Sequence, residues 1–164
     1  MVEITYQMVL STLQTIALIV GIAYYLIIMR NSQRNQQMQL ETRQAQLFMN
    51  LFSEWRSKEM SETVNELVFS WVWSDHEDFK AKYGSETNLG QWNKFTSVVV
   101  FFEGIGLLVH KGLVDPYYVR NLMGGRMWWF WEKYEQVFMN YRKEWNMPEF
   151  VEWYEHLYKI SRTT

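Results

Sequence analysis

Glu103 stands alone in the run Val98-Val99-Val100-Phe101-Phe102-Glu103-Gly104-Ile105-Gly106-Leu107-Leu108-Val109. A carboxylate among so many apolar side chains is costly to bury without a partner. Three roles are open to it: it can turn outward to water, form a structural ion pair, or act as a general base with a raised pKa. The ion pair is the preferred reading. Arg126 and Arg120, one on each side of Gly124-Gly125, are the natural partners, since a guanidinium answers a carboxylate with two parallel hydrogen bonds. A catalytic role would enlist His110, which shares a helical face with Glu103 through the series Thr96, Val99, Glu103, Gly106, His110. Gly104 and Gly106 remove side chains beside the carboxylate and would let another helix approach.

Other chemistry finds less to work with. Three histidines and no cysteine, with no H-E-x-x-H, give metal binding little support. Glu152-x-x-Glu155-His156 and His76-Glu77-Asp78 read as solvated helix faces. Gly124-Gly125 lacks the Lys-Ser/Thr of a nucleotide P-loop, and no Ser, His and Asp arrangement suggests a nucleophile. No catalytic residue, metal ligand or cofactor is therefore expected. A net charge of -2 supplies no basic footprint, so nucleic acid is not an expected partner. Trp128, Trp129, Phe130 and Trp131 follow one another and must point around most of a helix, so they cannot all enter one core. Trp128 and Trp129 are the candidate interaction surface.

The element that positions everything else is the stretch Met8 to Met29, which runs without a charge until Arg30. As a helix of roughly 33 Å it could cross the ~30 Å hydrocarbon core of a bilayer. Tyr6, Tyr24 and Tyr25 suit headgroup depth, and Arg30, Arg34 and Arg43 all follow the span. The positive-inside bias then places the N-terminus outside and the remainder in the cytoplasm. Absence of cysteine agrees with a reducing compartment. Gln14, Ala17 and Gly21 share one face, a candidate transmembrane helix-pairing surface.

Behind the span, residues 31–58 hold neither Gly nor Pro and read as a helical stalk continuing the same helix. From Met38 apolar residues return at Ala45, Phe48, Phe52 and Trp55, a face expected to pack on the chain's own domain. Residues 59–164 complete the division into anchor (1–30), stalk and domain. The expected helices there begin at Ser61-Glu62 and end near Trp73, then run briefly from Ser74 or Asp75 to Gly84, then from Leu89 to Val109. Asp115-Pro116 opens a short helix ending at Gly124-Gly125, a longer one follows to Trp145, and Pro148 to about Ser161 closes the chain. The fold class expected is all-α: a single transmembrane helix, its stalk, and a compact helical bundle. With 9 Trp, 10 Tyr and 10 Phe, that bundle has an unusually bulky core.

The order of these features resembles a known family. A single N-terminal span, a polar helix behind it, FFEGIGLLVHKGLVDPYYV, then NLMGGRMWWFWEKYEQVF and a closing EFVEWYEHLYKI are similar to the prokaryotic membrane-anchored proteins of domain-of-unknown-function family 4760. The resemblance implies architecture and places Glu103, Gly104, Gly106, Arg126 and Trp131 in the shared pattern, with no catalytic roles to transfer. The function expected is a non-enzymatic, single-pass protein, its partners the lipid bilayer and a protein partner or second copy, acting as an interaction module or accessory subunit. The alternative is a membrane-tethered sensor switched by oligomerisation or by a small ligand.

Overall fold

In the computed structural model, which describes residues 5–163, most of those residues are helical and none forms a strand. Its helices are α1 (Tyr6–Trp55), α2 (Lys58–Asn65), α3 (His76–Tyr83), α4 (Leu89–His110), α5 (Pro116–Glu144) and α6 (Glu152–Thr163), with a π-helical turn at Glu66–Ser70. The all-α expectation, with a long apolar N-terminal helix, is met. Two compact units divide the chain, Met1–Arg43 and Gln44–Thr164. Residues 1–4 of the expected anchor, and Thr164, lie outside the described residues.

Within the first unit every described side chain is exposed. Three hydroxyls within its apolar stretch are bonded along the helix: Ser11 and Thr12 donate to the Met8 carbonyl at 3.1 and 2.8 Å, and Thr15 to that of Ser11 at 2.9 Å. Back-bonding of this kind removes the polar protons from the helix surface. The unit is thus long and apolar enough to cross a membrane.

The second unit begins with the last turns of α1. Phe48 and Trp55 are buried and Phe52 packs against the core, as the three- and four-residue spacing predicts. α4 and α5 supply most of the interior, α4 through Phe95, Val98, Phe102 and Ile105 and α5 through Met127, Phe130, Trp131, Tyr134 and Phe138. Phe102 stacks on Tyr154 of α6 at 4.8 Å, and Phe130 lies 4.5 Å from Tyr134. Each fully buried large apolar side chain contributes roughly 1.5–3 kcal/mol, and each aromatic pair a further ~0.5–1.5 kcal/mol. Two of the buried phenols donate to backbone carbonyls, Tyr134 to Leu67 and Tyr154 to Met127.

Four boundaries differ from the sequence expectation, each for a local reason. α2 starts at Lys58 because Ser57, not Ser61, caps it, accepting from the Met60 N–H at 3.1 Å. The helical path ends at Ser70 and leaves extended at Trp71, short of Trp73, where a lysine from α5 collects the terminal carbonyls. α5 passes through Gly124-Gly125 without a break. A Cβ on Gly124 would stand 2.9 Å from the Trp128 ring, so this glycine seats an indole that folds back along its own helix. α6 begins at Glu152 rather than Pro148, after a turn in which Asn146 and Val151 take φ of 52° and 55°.

Candidate functional site

Glu103 projects from α4 to the start of α6, where its carboxylate accepts the Tyr154 N–H at 2.9 Å and the Trp153 N–H at 3.3 Å. First-turn amides have no partner inside their own helix and are usually met by a Ser, Thr, Asp or Asn immediately before it. Here the preceding residue is Val151, whose side chain can accept nothing. A carboxylate from another helix completes the cap, and the positive end of the α6 dipole favours its charge. Gly106 makes this possible: a Cβ there would lie 2.1 Å from the Trp153 carbonyl oxygen. Gly104, grouped with it in the sequence, faces open space. Burial pushes the Glu103 carboxyl above the ordinary carboxylate range, and the two N–H groups oppose that shift without cancelling it.

The expected ion pair is not assembled. Arg126 donates to Ser61 Oγ at 2.7 Å and lies over the Trp55 ring at 5.1 Å, while Arg120 lines a surface hollow with Asp115 and Asn121. The correction has a geometric cause: Arg126 leaves α5 toward α2 and the end of α1, whereas Glu103 leaves α4 toward α6. Nor does His110 meet the carboxylate. Its ring rests 4.3 Å from the Trp153 indole and 5.6 Å from the His156 ring. The arrangement of Glu103 does the work of a helix cap.

Sequence reasoning missed a second charge of the same kind. Lys133 Nζ donates to the carbonyls of Leu67, Val68 and Trp71 at 2.9, 2.7 and 2.6 Å, closing the C-terminal end of the π-helical turn. The Trp73 ring lies 5.3 Å from the ammonium. Burial pushes this lysine below its ordinary range. In the sequence Lys133 sits between Glu132 and Glu135, which makes it look like one member of a solvated face. The only available signal was the distance-blind one of a long donor near three aromatic residues.

Of the two candidate surface tryptophans, the structure separates one from the other. Trp128 donates Nε1–H to the buried Ser161 Oγ at 2.8 Å and carries the Arg162 guanidinium 4.7 Å above its ring, so it joins α5 to α6. Trp129 is 52% exposed and meets Phe69, itself 65% exposed, edge to face at 6.0 Å. Tyr118, Leu122, Gly125 and Trp129 follow at four, three and four residues along the exposed side of α5. In the first unit Gln14, Ala17 and Gly21 are all exposed, and a Cβ on Gly21 would meet nothing within 4 Å. Among the described residues no group of three or more His, Asp or Glu side chains is placed to hold a metal ion.

Residues 11–161 match the model of a family described as a domain of unknown function, DUF4760. No curated protein and no solved structure matches the chain.

Proposed function

This chain belongs to the DUF4760 family, and from that premise we propose that it is a non-enzymatic, single-pass membrane protein whose helical domain binds a protein partner. The observation that carries the reading is the Phe69–Trp129 pair, two large aromatic side chains in contact with each other in open solvent. Exposed aromatics set beside one another are the residues that anchor protein interfaces. The anchor is the charge-free stretch of α1, and Arg30, Arg34 and Arg43 behind it put the domain on the cytoplasmic side. The partner is a second protein or an accessory subunit of a membrane complex.

Gentle solubilisation of native membranes followed by affinity capture tests this. A partner retained by the wild-type chain, and lost from Phe69→Ser and Trp129→Ser variants that unfold at the wild-type temperature, supports it. Recovery of the lone chain from wild-type membranes overturns it.

A second reading is self-association of the anchors through Gln14, Ala17 and Gly21, favoured by the open surface over Gly21. A photocrosslinker at Gln37 that never joins two chains in the membrane removes it.

A further inference from the structure

An open cavity of about 370 Å³ lies between the end of α3, the start of α4 and the end of α5, away from both Glu103 and Trp129. Its size is that of a small-molecule site. One wall is the ring of Trp145, the residue that caps the end of α5, stacked at 4.4 Å on the buried ring of Tyr141. Trp92 of α4 stands nearly perpendicular to both, at 70° to Tyr141 and 82° to Trp145, so the three rings form an aromatic corner. Among the described residues the lining also holds three carboxylates, Glu77, Glu86 and Glu144, and one ammonium, Lys80.

The single cation is already occupied, because Lys80 Nζ lies 2.7 Å from Glu144 and 3.7 Å from Glu77. Several donors of the loop between α3 and α4 are also committed. The Gly84 N–H goes to the Lys80 carbonyl, those of Thr87 and Asn88 go to Gly84, and the Thr87 hydroxyl reaches both carbonyls. The loop itself depends on Gly84, since a Cβ there would stand 2.4 Å from the Lys80 oxygen. What the cavity offers a ligand is therefore aromatic ring surface and surplus negative charge.

We propose that this cavity binds a small organic cation of the quaternary or tertiary ammonium class, its methyl groups against Trp92 and Trp145 and its charge offset by Glu77 and Glu86. An ammonium with methyl substituents is drawn to the faces of Trp and Tyr and loses little on leaving water. A small inorganic anion meets repulsion at the carboxylate rim, and a neutral ligand forgoes the electrostatic part of the attraction.

The test is titration of the full chain, in a maltoside detergent free of choline headgroups, with choline chloride. A parallel titration uses 3,3-dimethylbutan-1-ol, the neutral isostere of choline. Indole N–H resonances are followed by NMR. Saturable shifts of the Trp92 and Trp145 resonances by choline are expected, with binding of the neutral isostere roughly tenfold weaker or more. Trp145→Ala should abolish the shift at Trp92; because that ring also packs on Tyr141 and Phe150, the titration is run well below the variant's own thermal midpoint. Glu86→Gln should weaken binding several-fold. Equal binding of the neutral isostere, absence of saturation by choline, or unchanged affinity in Trp145→Ala each overturns the proposal.

Discussion

The N-terminal part of α1 and helix α4 carry the same kind of side chain and dispose of it in opposite ways. Both pass a length-and-composition test for crossing a bilayer, yet 39% of the apolar window of α4 is buried in the protein and none of that of α1. Phe95, Val98 and Phe102 of α4 are fully enclosed, while Ile16, Ile19 and Ile22 of α1 remain between 53% and 60% exposed. Apolar composition says which groups are expelled from water, but it does not say what receives them. For α4 the receiver is the aromatic interior of its own unit. For α1, on the proposed reading, the receiver is lipid.

The contrast is most directly broken by truncating one side chain in each helix. Phe102→Ala should cost about 3–5 kcal/mol in urea unfolding followed by tryptophan fluorescence, since it opens a cavity beneath Tyr154. Leu18→Ala should leave the domain's midpoint unchanged, because that side chain is 66% exposed. Similar losses from both would show that α1 is also held by the fold.

A smaller effect separates the two glycines of α4. Gly106→Ala should destabilise by about 1–3 kcal/mol, because the new methyl group collides with the Trp153 carbonyl oxygen. Gly104→Ala, into open space, should be neutral or stabilise by up to about 1 kcal/mol. Thermal unfolding of the pair reads the difference, and a reversal would mean that α6 does not approach α4 at Gly106.

Lys133→Met should cost about 1–3 kcal/mol by the same measurement, leaving the carbonyls of Leu67, Val68 and Trp71 without their donor. No substitution of a charged residue in the described part of α1 before Gln44 should move the domain's stability as far.

The smallest effect is a pH dependence. Folding raises the Glu103 pKa above its ordinary 4.5, so the folded chain holds that proton more readily than the unfolded one. Between those values stability falls as pH rises. Glu66 and Glu144 behave oppositely: hydrogen bonds from Lys94 and Lys80 respectively lower their pKa values, and their contribution is lost as pH falls through the lowered values. Glu103→Gln removes only the first dependence. The stability of wild type relative to this variant should therefore be greater at about pH 4 than at about pH 8. A difference that grows with pH would reverse the sign assigned to burial.

Much of the fold was legible because its signals are local. Asp115-Pro116 does open α5, with Asp115 accepting the Tyr117 N–H, and Lys111-Gly112 does close α4, with Gly112 at a φ of 68°. Asp75 and Gly84 bound α3 as the sequence suggested. The expected break at Gly124-Gly125 failed for a different kind of reason. Two glycines weaken a helix by roughly 1 kcal/mol each, an amount that packing of Val119 and Met123 on one side and Met127 and Phe130 on the other readily outweighs. At the candidate site the sequence identified Glu103 as the residue in need of a partner but named the wrong one, and it passed over Lys133. In both cases the partner is a set of backbone groups at a helix end, and backbone groups leave no mark in the sequence.

By itself the sequence determined the all-helical class, the helix ends at Asp75, Gly84, Gly112 and Asp115, and the long apolar N-terminal stretch, because periodicity, terminal hydrogen bonding and charge act over a few residues. Only the tertiary structure decided which apolar helix is covered, which tryptophan is left in the open, and that two half-buried charges close the ends of other helices. Those outcomes depend on which faces meet across fifty or more residues of chain, and a helix's own sequence carries no information about what lies opposite.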